Sequence, residues 1–209
     1  MKNCIRLLFA AALLTSVGRA DVIEWGFEVS QTPTSSFDSL GNAIDSSYTF
    51  YLGKFADSFT PTRSNYDSWL ANWTNLDTTT YNDTLDWFND SENLNDNNVF
   101  ANTDAAFIWG TNVSQGATGE VVLLNSVNWI YPTAEPTDPS VTSFVLTDAA
   151  LAAPVGAVNS TYTGEESGIT TPLGSFDLQT ERIPEPTAAL LIAIGCLFLL
   201  FRRTPRQPA

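Results

Sequence analysis

Histidine is missing altogether from this 209-residue chain. That absence excludes Ser-His-Asp and Cys-His catalysis and the usual imidazole-bound zinc and iron sites. Cysteine is nearly missing: Cys4 and Cys196 stand near the two ends. The chain between them has no disulfide to draw on and must be held by an ordinary apolar core. Positive charge is scarce as well. Between Asp21 and Glu185 three basic residues (Lys54, Arg63, Arg182) meet 23 acidic ones, a balance of −20. Without a basic patch to neutralise phosphates, nucleic acid is excluded as a partner. An anionic polysaccharide would need bridging cations. There is no glycine-rich phosphate loop, no nucleophile elbow and no metal-ligand spacing.

What the chain does have is organised at its ends. Lys2 and Arg6 give a basic start, Leu7 to Val17 is an apolar core, and Gly18-Arg19-Ala20 is a small-residue exit with cleavage after Ala20. This is the pattern of a removable export signal over residues 1–20, and Cys4 would leave with it. At the other end come Ile183-Pro184-Glu185-Pro186-Thr187, then the uncharged run Ala188 to Phe201, then Arg202, Arg203 and Arg206. Proline restricts the residue ahead of it, so the Pro-Glu-Pro element stays extended up to Pro186, which can open a helix. The run 188–201 spans about 21 Å as a helix, short of the roughly 30 Å hydrocarbon core. Pro186, Thr187 and the stem of Arg202 lengthen it. A run this short also suits a buried helix, but it lacks a polar stripe and ends in clustered arginines. These features favour a membrane segment whose arginines stop transfer and set its orientation.

Pro184, Glu185 and Pro186, followed by a short apolar helix and a basic end, resemble the bacterial PEP-CTERM sorting signal. The resemblance covers about 25 residues of the C-terminus. It implies export by a Gram-negative bacterium, a transient membrane anchor, and an exosortase, a membrane protease of transpeptidase type, that acts near the motif. It also implies delivery to the cell surface or an extracellular polysaccharide matrix. Pro205 and Pro208 interrupt a basic end that is often denser in that family. A GPI signal is the eukaryotic alternative, but it would end in its hydrophobic tail, whereas three arginines follow here.

Between the ends, residues 21–180 read as one acidic domain, with residues 181–209 as the tail. Strands are expected over Asp21 to Ser30, Ser47 to Phe55, Ala105 to Gly110, Glu120 to Leu124, Val141 to Thr147, Pro154 to Val158 and Ser175 to Thr180. The runs at 105–110 and 120–124 bracket two glycines and predict a hairpin of buried strands. Tyr66, Trp69, Leu70, Trp73 and Leu76 recur at helical spacing, which predicts a short amphipathic helix over 65–76 capped by Ser64 or Asn65. Residues 89–104 read as an Asn/Asp-rich loop, 149–153 as a helical turn, and 180–183 as a link to the membrane. Many short strands and frequent turns predict an all-β fold, an antiparallel β-sandwich or jelly roll with one short helix. The order FIWG, EVVLL, NWIYP is similar to a pattern in other PEP-CTERM ectodomains.

Three chemistries compete with a plain structural role. Six tryptophans are many for this length, and exposed rings can stack on sugars; Trp87, Trp109 and Trp129 are the candidates. Core filling is the stronger reading for Trp109 and Trp129, and Trp87 lies in the most polar stretch. Asp83, Asp86, Asp90, Glu92, Asp96 and Asp104 form an oxygen-rich run that suits Ca²⁺. The glycine and terminal glutamate of an EF-hand loop are missing, so a solvated acidic loop is the stronger reading. Paired carboxylates for glycoside hydrolysis are not singled out by any spacing. The expectation is therefore a non-enzymatic, exported structural or interaction protein that needs no cofactor. Its partners are an exosortase, the membrane and extracellular polysaccharide. The alternative is a carbohydrate-binding module or glycan-active enzyme.

Overall fold

A computed structural model describes residues 22–27, 36–94, 99–100, 103–132, 141–158, 161–163, 170–172 and 178–183. The strands are β1 (Val22–Gly26), β2 (Ser36–Phe37), β3 (Thr49–Phe55), β4 (Trp73–Thr80), β5 (Asn89–Asn93), β6 (Ala105–Thr111) and β7 (Glu120–Ile130). They continue with β8 (Val141–Val145), β9 (Leu151–Val155), β10 (Ala157–Val158), β11 (Thr161–Thr163), β12 (Thr170–Pro172), β13 (Leu178–Gln179) and β14 (Glu181–Arg182). A 3₁₀ turn, Arg63–Ser68, runs into the four-residue helix α1, Trp69–Asn72. The fold is all-β, and most of its pairings are antiparallel.

The largest sheet has six strands in the order β14-β7-β6-β3-β4, with β9 also pairing β7. β6 and β7 are the expected hairpin, in which Trp109 faces Leu123 and Ile108 faces Leu124. Side chains alternate across a strand, so β7 sends Val121 and Leu123 to one face and Val122 and Leu124 to the other. All four are fully buried. The uninterrupted apolar run at 121–124 records a strand covered on both sides.

Each face has its own cover. On one, Phe50, Leu52, Ile108, Val122 and Leu124 meet Ile23, Trp25 and Phe144 from the sheet β5-β1-β8 and Leu178 from the sheet β10-β13-β2. Phe50 and Phe88 stack here at 3.6 Å between centroids. On the other, Phe55, Trp109, Val121, Leu123 and Val155 are covered by Tyr66, Trp69 and Ile183. Burying one such large side chain stabilises by roughly 1.5–3 kcal/mol. Two pairings, β1 with β8 and β13 with β2, are parallel.

Four sequence expectations need correction. The helix stops at Asn72, and Trp73 begins β4 instead of continuing it. The ring of Trp73 still packs on Phe55 and Trp109, at 4.9 and 5.6 Å, so helix and strand aim it at the same apolar layer. The β-branched Thr74, Thr78, Thr79 and Thr80 then favour strand. The cap position is Thr62 rather than Ser64 or Asn65; Asn65 is the third residue of the 3₁₀ turn that follows, and its Oδ1 accepts the Thr62 N–H at 2.8 Å. Residues 89–93 are strand β5 rather than loop, paired to β1 from Asn89 to Asn93. Residues 151–155 form β9 rather than a helical turn, because β7 offers a free edge there. Finally, 181–183 is no link: β14 pairs with Val121 and Glu120, and Ile183 is buried, its N–H donating to the Gly119 carbonyl at 2.9 Å. Packing thus extends three residues past the expected domain boundary at 180.

Candidate functional site

Ala20, Pro184, Glu185, Pro186, Arg202, Arg203, Arg206 and Asp96 lie outside the described residues. The chain approaching Pro184 is nevertheless defined. The Arg63 guanidinium is 2.6 Å from Glu181 and donates to the Arg182 carbonyl at 3.3 Å. The other Glu181 carboxylate oxygen accepts the Gly156 N–H at 3.3 Å. One arginine therefore ties the last strand to the 3₁₀ turn, and Ile183 seals it from below. Among the described residues, no helix is long and apolar enough to cross a membrane.

The tryptophans resolve into core. Trp109 and Trp129 are buried, at 0% and 1% exposure, and so cannot offer a face to a sugar. Trp87, from the most polar stretch, is half-buried against the main core and is the most exposed of the three candidates. Trp25 is buried with its Nε1 donating to Asp77 at 2.8 Å. Trp69 donates to the Thr62 carbonyl and to Asn65, at 3.1 and 3.0 Å. None of the six tryptophans is exposed. Their density reflects two separate apolar layers to fill, without a disulfide to help.

The acidic candidates do not gather. Asp83 and Asp86 lie exposed in the turn before Trp87, Asp86 with φ of 54°, and Asp90 lies exposed on β5. Asp90 accepts its neighbour Ser91 N–H at 2.8 Å, a local bond. Among the described residues, no three acidic side chains converge as a metal would require. Asp104 has a separate role: its carboxylate lies 2.5 Å from Lys54 Nζ.

Described residues line open clefts at two places. The larger, about 370 Å³, lies where β1 ends against β5, with Glu24, Asn89, Asp90 and Ser91 around the edges of Trp25 and Phe27. Gly26 lets β1 approach the chain entering β5 closely: its φ is 101°, and a Cβ there would stand 2.4 Å from the Phe88 carbonyl oxygen. Two carboxylates at one cleft invite comparison with a glycosidase pair. The register argues against it. Glu24 is opposite Ser91 and Trp25 is opposite Asp90, so the pleat sends the two acids to opposite faces of the sheet. The smaller cleft, about 280 Å³, has Phe55, Phe59 and Phe107 beside Asp57 and Asp104.

A polar network joins the start of β7 to the chain around β2 and β13. Glu120 accepts from the Ser39 N–H and Oγ, at 3.0 and 2.7 Å, and from Thr180 Oγ1 at 2.7 Å. Gln179 donates to the Asp38 carbonyl at 3.0 Å. Burial raises the nearby Tyr48 hydroxyl far above its ordinary range, and the charges of Glu120, Asp38 and Asp45 add to this. These bonds join β7, the loop after β2 and β13, and their role is structural.

Sequence reasoning overlooked Lys54, which the fold places in a half-buried ion pair. Its signal was available: it is the lone lysine after Lys2, inside an aromatic strand. No family model, curated protein or solved structure matches this chain.

Proposed function

We propose that this chain is an exported, non-enzymatic surface or matrix protein. In this reading an acidic β-sandwich, jelly-roll-like in kind, is delivered by a PEP-CTERM-type sorting tail. Residues 1–20 direct export. Pro184, Glu185 and Pro186 are read by an exosortase, residues 188–201 hold the chain in the membrane, and Arg202, Arg203 and Arg206 keep its end on the cytoplasmic side. The released domain works at the cell surface or among extracellular polysaccharide.

The observation that carries the reading is the order of signals along the chain. An export signal comes first, then a packed domain, then, directly after the buried Ile183, the motif, followed by the apolar run and the arginines. Ile183 is buried in the second apolar layer and Pro184 follows it directly. The test is expression in matched strains with and without an exosortase. The expected result is a shortened C-terminus and release from the membrane only where the enzyme is present. An identical C-terminus and location in both strains overturns the reading.

Glycan binding is the second reading, and the larger cleft favours it. Asn89, Ser91 and Glu24, which share one face of the sheet, offer the mixed donors and acceptors that sugar hydroxyls use. Titration with the host's own polysaccharide, with Asn89→Ala as control, decides it. Saturable binding lost in the variant supports the reading, and no binding removes it.

A further inference from the structure

We propose that Lys54 and Asp104 are joined by an isopeptide bond, a covalent staple between β3 and the chain entering β6. Lys54 Nζ stands 2.5 Å from Asp104 Oδ2, and the two side chains keep only 17% and 9% of their exposure. A nitrogen that close to one carboxylate oxygen lies roughly 3–3.5 Å from the carboxyl carbon, the separation of a near-attack pair. β3 and β6 are neighbours in the large sheet, and their register ends at Gly53 and Phe107, beside the pair. No chain movement is needed to bring the groups together.

The surroundings favour condensation over a lasting ion pair. The Phe100 ring lies 5.7 Å from Nζ. Phe100 packs on Tyr131 at 4.7 Å, and both residues are buried. This gives the pair one buried aromatic flank, while its other side borders the cleft lined by Phe55, Phe59 and Phe107. The Tyr131 N–H donates to the Asp104 carbonyl at 3.1 Å and holds Asp104 in place. Two charges held in such a site are costly unless well hydrogen-bonded. Transfer of one proton from the ammonium to the carboxylate removes both charges, leaving an amine and an acid.

The step then balances without help. The amine lone pair adds to the carboxyl carbon and forms the C–N bond. The C–O bond breaks, and the departing hydroxyl leaves as water with one of the nitrogen's protons. Nothing is oxidised or reduced, and no co-reactant enters. Each molecule reacts once, so a slow step suffices. The product ties positions 50 residues apart. It constrains the unfolded chain as a disulfide does, in a domain whose sequence offers no disulfide. The proposal is independent of the sorting tail.

Peptide mapping of the purified full-length chain by mass spectrometry tests it. The expected result is one branched peptide holding both Lys54 and Asp104, lighter by one water than its two parts. Asp104→Asn should give the same branched peptide with loss of ammonia instead. Lys54→Arg keeps a cation beside Asp104 and should give none. A folded wild-type sample, with strand confirmed by circular dichroism, that after prolonged incubation yields the two peptides separately at full mass overturns the proposal. So does a branched peptide that persists in Lys54→Arg.

Discussion

Replacing Trp109 separates a core role from a binding role more cleanly than any other change in this chain. Its indole is fully buried at the centre of the second apolar layer. It meets Trp69, Trp73 and Tyr66 edge-to-face at 5.4, 5.6 and 5.9 Å and tilts against Tyr51 at 6.2 Å. Truncation to alanine removes these contacts and leaves a cavity that the rigid strands β3 and β7 cannot close. The expected cost is about 3–5 kcal/mol, with the lost aromatic pairs placing it toward the upper end. At about 2–4 °C per kcal/mol for a domain of this size, the melting temperature falls by roughly 10 °C or more. Phenylalanine is the informative contrast. Trp109 Nε1 is buried without a hydrogen-bond partner, so Trp109→Phe gives up volume but no hydrogen bond. Its cost should stay near 1–2 kcal/mol, as for modest large-to-small changes. Trp25→Phe should cost more, because it strips the Asp77 carboxylate of its 2.8 Å donor. Thermal and urea melts followed by far-UV circular dichroism measure all three. If Trp109→Ala melts with the wild type yet abolishes sugar binding, the core assignment is wrong.

Three further outcomes follow from the geometry. Gly53→Ala places a Cβ 2.3 Å from the Thr74 carbonyl oxygen and 2.5 Å from the Trp73 ring; since backbone must move, a loss of about 1–3 kcal/mol is expected in the same melts. Ile183→Ala should cost about 2–4 kcal/mol, as for a packed core residue, whereas Arg63→Ala, which breaks a partly exposed pair with Glu181, should cost about 0.5–1 kcal/mol; equal and negligible effects would mean that the last strand does not pack. Burial pushes the Asp148 carboxyl up, but donations from the Ala150 N–H, Ser126 and Asn128 outweigh it and hold it below its ordinary value of 3.8. A depressed folded value gives stability that is present above the ordinary value and lost as pH falls through the lower one; Asp148→Asn should flatten the melting temperature in that acid window and leave other acid losses in place.

The sheet centre was legible in the sequence because both signals there agree. The run at 121–124 is apolar on consecutive residues, which only a doubly covered strand needs, and the glycines between it and 105–110 close the hairpin. Trp73 shows where the signals conflict. Its spacing from Trp69 fits a helix, yet the same ring reaches the same layer from a strand, so periodicity alone could not place the boundary at Asn72. β5 and β14 were illegible for a different reason. NDSEN and ER carry no strand pattern of their own, and each becomes a strand only because β1 or β7 presents an unpaired edge. That information belongs to the tertiary fold. Trp87 was legible in part: its polar neighbours marked it as more exposed than Trp109 and Trp129, but not that its ring still packs against the core.

The same reasoning bears on what the acidic surface is for. Between Asp21 and Glu185, a segment with three bases against 23 acids would be expected to use those bases where they stabilise most. Lys54 on β3 lies against Asp104, Arg63 clamps Glu181, and Arg182 on β14 pairs in register with Glu120 of β7. All three sit at junctions of the large sheet. Two of the three bases, Lys54 and Arg63, are thus paired within the fold, while among the described residues Asp45, Asp57, Asp67, Asp83, Asp86 and Asp90 face outward, where they are solvated and screened by salt. A surface of that kind resists self-association and repels bare anionic polymers, so any retention in an anionic matrix must run through bridging cations or through neutral sugar hydroxyls. The larger cleft, with its amide, hydroxyl and carboxylate groups, suits the latter.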